Sequence, residues 1–134
     1  MSEENKALVR RVYEAISAGN LEVLRDAISD GFVEHEEFPG LEASSSKEGA
    51  VRQFELLRAA FPDFSISLDD MVAEGDKVFI RATMRGTHRG EFMGMPATGK
   101  QITVPVGDFI RIVDGKAVEH WGVTDTGAMM QQLD

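Results

Sequence analysis

Cysteine is absent from the 134-residue chain, which excludes disulfides, thiolate metal sites and thiol nucleophiles. That absence fits a reducing cytoplasm. Long apolar runs are missing too. The opening MSEENKALVRR has no apolar signal core, and no later run is long enough to cross a bilayer, so a soluble cytoplasmic protein without a membrane partner is expected. Basic charge is scarce: 14 Lys and Arg stand against 23 Asp and Glu, a formal net charge of −9. The basic residues are scattered and form no aromatic-interleaved stripe. An acidic surface repels phosphate backbones, so nucleic acid is not an expected partner. The three histidines, His35, His88 and His120, lie on separate segments. With Asp108 or Glu34 they could in principle gather round a metal, but no two share a ligand-type spacing, and no metal site is expected.

What is present is enough apolar residue for a core, 43% of the chain, and a length that suits one domain over residues 1–134. Leu8, Val9, Val12, Tyr13 and Ile16 recur at helical spacing, which predicts a helix from about Glu3 to Ala18, with Ser2 as its cap and Gly19-Asn20 as its stop. A short second helix puts Leu21, Leu24 and Ile28 inward and ends at Asp30-Gly31. FVEHEEFPG (32–40) begins extended and closes in a Pro-Gly turn. In the third helix Ser45 and Glu48 have capping-box spacing, Val51, Phe54, Leu57 and Phe61 face inward, and Pro62 ends the run.

From Phe64 onward the period becomes two. Phe64, Ile66 and Leu68 alternate with polar residues. Val78, Ile80, Ala82 and Met84 oppose Phe79, Arg81, Thr83 and Arg85 on a second strand, after a turn at 74–77. Gln101 to Val113 and Lys116 to Thr124 make the last hairpin around Asp114-Gly115, and TGAMMQQLD is left as a tail. Helices first, then strands on short turns, imply an α+β fold. Three N-terminal helices pack on one face of a curved, mostly antiparallel sheet, and its concave side can enclose a small-molecule pocket.

The last hairpin holds the candidate chemistry. Val104, Val106, Asp108, Ile110 and Ile112 share one face, and a carboxylate in so apolar a row is costly unless it is paired or functional. Val118, His120, Gly122 and Thr124 share a face of the partner strand. A three-residue loop, Asp114-Gly115-Lys116, sets Asp108 opposite Gly122 and puts Asp108 and His120 on one side, with Phe109 and Trp121 on the other. A two-residue loop sets Asp108 opposite Trp121 and separates the polar groups. The three-residue loop is preferred because it also pairs Ile112 with Val118. Asp108 and His120 in one apolar cavity would form an acid/base unit, whereas a purely structural hydrogen bond would only hold the register. His35 lies at an expected pocket rim, where a surface role is the alternative, as it is for His88. Phe92, Met93 and Met95 are candidates for pocket lining or a lid, with loop packing as the alternative. Ser44-Ser45-Ser46 lacks a nucleophile-elbow context, and the glycines before Lys100 are not followed by the helix a phosphate loop needs. The face carrying Phe79, Phe109 and Trp121 is either solvated or meets a second subunit.

VRRVYEAISAGNLEVL, AFPDFSI, RGTHRGEFMGMPATGK, FIRIVDGKAVEHW and MMQQLD occur in an order that resembles the SnoaL-like polyketide (ester) cyclases of the nuclear-transport-factor-2-like superfamily. The resemblance covers nearly the whole chain. It implies an α+β cone, a homodimer formed through the outer face of the sheet, and an intramolecular aldol ring closure by a pocket carboxylate without cofactor or metal. The residue two places after the EHW-like histidine, where those cyclases carry the acid, is Gly122, and Asp108 stands where they carry a histidine. A carboxylate moved across the hairpin to Asp108 is therefore expected to take the C–H proton, with His120 donating to the enolate oxygen and His35 assisting. Tyr13, Phe92, Met95, Gly122 and Thr124 are expected to contact a small hydrophobic carbonyl or ester. A non-catalytic hydrophobic binding module is the first alternative, favoured by Gly122. Epoxide-hydrolase-like water addition is the second.

Overall fold

The computed structural model describes residues 2–36 and 45–134; the Pro39-Gly40 turn lies outside them. Three helices and a strand come first: α1 (Ser2–Ala18), α2 (Leu21–Ala27), β1 (Ile28–Glu34) and α3 (Lys47–Ala60). Four strands and a last helix follow: β2 (Ser65–Glu74), β3 (Lys77–Thr87), β4 (Gln101–Val113), β5 (Lys116–Thr124) and α4 (Thr126–Leu133). The sheet order is β1-β5-β4-β3-β2. Its pairs are antiparallel except β1 with β5, which run parallel. The fold is α+β. Val78, Ile80 and Ala82 of β3 and Ile102 and Val104 of β4 are buried against the inner faces of the helices. Each such valine or isoleucine side chain contributes about 1.5–3 kcal/mol by leaving water. Among the described residues, no helix is long and apolar enough to cross a membrane.

Four local expectations change. The second helix stops at Ala27, because β-branched Ile28 is already extended (φ −105°, ψ 136°) and opens β1. Asp30-Gly31 then falls inside that strand, where its register against β5 slips between Ile28 and Val33. The N-cap of α3 is Ser46, which accepts from the Gly49 amide, while the Ser45 hydroxyl accepts from the Glu34 amide. Ser2 lies within α1 rather than ahead of it. The C-terminal tail is a helix, because the Asp125 carboxylate accepts from the Ala128 amide and caps it, and Met129 and Leu133 reach the core.

The last hairpin reaches the preferred register by another route. Its loop is the two-residue Asp114-Gly115, both at positive φ (51° and 75°), so Val113 pairs with Lys116 and Ile112 with Ala117. A bulge on β5 then takes up Val118. Beyond it Ile110 pairs with His120, Phe109 with Trp121 and Asp108 with Gly122. The bulge turns Ala117 inward in place of Val118 and keeps His120 on the side of Asp108.

The 88–100 connection packs on the end of α3. The amides of Arg89 and Gly90 both donate to the Ala60 carbonyl at 3.0 Å. A Cβ at Gly90 would lie 2.3 Å from the Ala59 oxygen, so only glycine fits there. His88 is fully buried rather than at the surface, and its Nδ1 accepts from the Thr98 amide.

Candidate active site

Between the helices and the inner face of the sheet lies a cavity of about 130 Å³. Val12 and Ile16 of α1, Phe54 and Leu57 of α3, and Val106 and Ile110 of β4 supply apolar wall. The bonded polar groups are gathered from four places. Tyr13 projects from the buried face of α1, Asp108 from the apolar row of β4, and His120 and Thr124 from β5. Glu34 ends β1 and Glu36 follows it.

These groups bond to one another. The Tyr13 hydroxyl donates to Asp108 Oδ2 at 2.6 Å, and His120 Nε2 lies 2.9 Å from Asp108 Oδ1. His120 Nδ1 lies 2.5 Å from Glu34 Oε1, which also accepts from the Glu36 amide at 3.0 Å. Thr124 Oγ1 donates to Glu36 Oε2 at 2.9 Å. Asp108 is 5% exposed, so its carboxylate depends on these donors for the solvation that water would give. Gly122 sits beneath the group. A Cβ built there would lie 2.4 Å from Glu36 Oε1, 2.6 Å from Asp108 Oδ1 and 2.8 Å from His120 Cε1.

The electrostatics follow from burial and from crowding of negative charge. Burial would lower the His120 pKa, but hydrogen bonds to Asp108 and Glu34 outweigh it and push it up to about 10. The ring is therefore an imidazolium at neutral pH. Burial raises the Glu36 carboxyl, and the Asp108 charge raises it further, against the opposing pull of Thr124 and His120. Burial, and then the Asp108 charge, lifts the Tyr13 phenol well above its usual value. Glu36, Asp108 and His120 offer donor atoms within 4.8 Å of one another, the spacing of a metal site. In this arrangement both His120 nitrogens are taken by carboxylates, Nδ1 by Glu34 and Nε2 by Asp108.

The structure brings Asp108, His120, Tyr13, Gly122 and Thr124 together at one end of the cavity. It does not bring His35, Phe92 or Met95. Inward-facing Phe32 and Glu34 leave His35 on the opposite side of the extended chain, where it stacks on Trp121 (4.8 Å, 6°) and bonds to Glu119 at 2.6 Å. Phe92 packs on Phe61 and His88, and it pairs with Met95 across a tight turn in which Met93 and Gly94 have positive φ; neither Phe92 nor Met95 lines the cavity. His120 does not stand free to donate to a substrate oxygen, because Glu34 and Asp108 occupy it. Glu36 was missed, and Glu34 was weighed only as a metal ligand. Strand alternation from Phe32 was the signal for both, since it sends 34 and 36 inward and 35 out.

The family model for SnoaL-like polyketide cyclase matches residues 6–133. The chain belongs to the SnoaL-like polyketide cyclase family. This SnoaL-like protein is 32% identical over 133 residues to the aklanonic acid methyl ester cyclase DauD of Streptomyces sp. strain C5, covering 94% of this chain and 79% of that one. Among solved structures it is similar to AclR of Streptomyces galilaeus, a candidate hydroxylase, with a TM-score of 0.88, 33% identity and coverage of 99% and 97%. It is likewise similar to IdmH of Streptomyces antibioticus, a candidate polyketide cyclase, with a TM-score of 0.84, 34% identity and coverage of 96% and 97%. Relatives at similar identity are thus described by different chemistries, a cyclase and a candidate hydroxylase, on one fold, and the site residues must decide the reaction.

Proposed function

We propose that this SnoaL-like protein is a cofactor-independent cyclase that closes a ring in a small hydrophobic carbonyl or methyl ester compound through an enolate. The observation that carries the reading is a carboxylate cluster, Asp108 with Glu36, set into one part of an otherwise apolar cavity and held by Tyr13, His120 and Thr124. A buried carboxylate takes the proton from a carbon beside a carbonyl. The enolate carbon attacks a second carbonyl of the same molecule, and the proton returns to the new alkoxide. Nothing leaves and nothing is oxidised, so a group that both accepts and gives one proton suffices. The imidazolium of His120 lowers the energy of an anion forming nearby through its field, without donating a hydrogen bond of its own.

The named substrate of DauD, aklanonic acid methyl ester, is the first compound to try. The wild-type protein is expected to cyclise it, and the double variant Asp108→Asn/Glu36→Gln is expected to lose at least ~100-fold in rate while still binding the ester. Tight binding by the wild-type protein without conversion would instead support the binding-module alternative. Water addition to an epoxide requires polar groups with open valences aimed at a water. Here Tyr13, His120 and Asp108 use theirs on one another.

A further inference from the structure

We infer that Glu36 is the group that carries the proton in this pocket, and that position 122 is glycine because the Glu36 carboxylate occupies the volume a side chain there would fill. The inference rests on the acid/base reading above and deepens it. Three observations separate Glu36 from Asp108. The first is hydrogen bonding. Asp108 accepts a donor on each oxygen, from Tyr13 at 2.6 Å and from His120 at 2.9 Å, whereas among the described residues the side chain of Glu36 accepts from Thr124 alone. Two donors stabilise the charged form of Asp108 and lower its appetite for a proton. The second is space. Both carboxylates lie over Gly122, and the nearest atom to a Cβ built there is Glu36 Oε1, at 2.4 Å. A glycine therefore lets a carboxylate from the segment after β1 reach the β4–β5 floor.

The third is the charge around Glu36. It faces Asp108 of β4, His120 of β5, Glu34 of β1 and Tyr13 of α1. Glu34 and Asp108 have the imidazolium between them, which, among the described residues, leaves Glu36 as the carboxyl of this group without an ionic hydrogen-bond partner. Burial and the Asp108 charge raise its pKa, as a group that takes a proton from carbon and returns it to an alkoxide requires. Asp108 is then a positioning residue. It holds Tyr13 and His120 and supplies the charge that makes Glu36 more basic.

The test uses nitrobenzisoxazole, whose elimination is one step: a base removes the ring C–H proton, that electron pair forms the nitrile, and the N–O bond breaks to release a coloured phenolate. Rates are measured from weakly acid to weakly alkaline pH for wild type, Glu36→Gln and Asp108→Asn. The Glu36 carboxyl is titrated in parallel by NMR in wild type and Asp108→Asn, and circular dichroism checks folding. Glu36→Gln is expected to lower the rate at least ~100-fold at pH values above the Glu36 midpoint, where the wild-type carboxylate is charged. Asp108→Asn is expected to stay within about tenfold and to shift both the rate profile and the Glu36 midpoint to lower pH, because a neighbouring negative charge is gone. Loss of rate in Asp108→Asn with retention in Glu36→Gln would overturn the inference and leave the cyclase reading intact. A Glu36 midpoint in the ordinary glutamate range overturns it whatever the rates show. A wild-type protein no faster than a free carboxylate of equal basicity would contradict the acid/base reading itself.

Discussion

His120 has a carboxylate on each ring nitrogen, and this governs how the site responds to pH. Folding raises the pKa of His120 to about 10 and raises those of Glu36 and Tyr13 as well, so each group binds its proton more tightly folded than unfolded. The sign is the same for all three. Their contribution to stability is present below the unfolded pKa and is lost as pH rises through the folded one. Between about pH 6.5 and 10 the His120 contribution dominates that loss, and urea midpoints should fall steadily across the window. His120→Gln should flatten the slope and cost about 3–5 kcal/mol near neutrality, because Glu34 and Asp108 are left buried without their cation. A flat wild-type profile would mean the imidazole is neutral. His35 gives the contrasting case. It stacks on Trp121 and bonds to Glu119 on the far side of the sheet. His35→Ala should therefore lower stability by about 1 kcal/mol and leave the elimination rate within twofold. A larger drop in rate would return His35 to the pocket.

The β4–β5 hairpin shows what a sequence reveals at the level of elements and what it conceals. The alternation of Val104, Val106, Asp108, Ile110 and Ile112 gave β4 its bounds and the inward side of Asp108 correctly. The pairing of Asp108 with Gly122 was legible only as a consequence of keeping Phe109 with Trp121. The two-residue turn and the Val118 bulge that produce it were not, because the bulge shifts the inward phase of β5 by one residue and no residue type in the sequence marks where it falls. The helix α4 escaped notice for a different reason. Thr126 and Gly127 are weak helix formers, and the capping role of Asp125 emerges only once the strand is seen to end at Thr124. Just past the end of β1, the histidine of FVEHEEF is the more conspicuous residue type, but its flanking glutamates are the ones that line the cavity. Chemistry-bearing residue type misled there, while the strand period beginning at Phe32 would have placed all three side chains.

On the whole-molecule scale, one face of the sheet encloses the cavity and the other stays open. That outer face exposes Phe79 (41%), Phe109 (37%) and Val123 (74%), with Phe79 and Trp121 both packed on the Phe109 ring. The dimer expected from the family resemblance would cover it. Sedimentation should then show two chains per particle for wild type and one for Phe109→Asp, while a monomeric wild type would remove the dimer from the account. The inner face holds the central claim, that a carboxylate pair performs the transfer, with Glu36 carrying the proton and Asp108 holding Tyr13 and His120 beside it. The most direct check is the ester cyclisation rate of wild type against Asp108→Asn/Glu36→Gln, with ester binding measured alongside. A loss of at least ~100-fold with binding retained is the predicted result, and equal rates in the two proteins would contradict it.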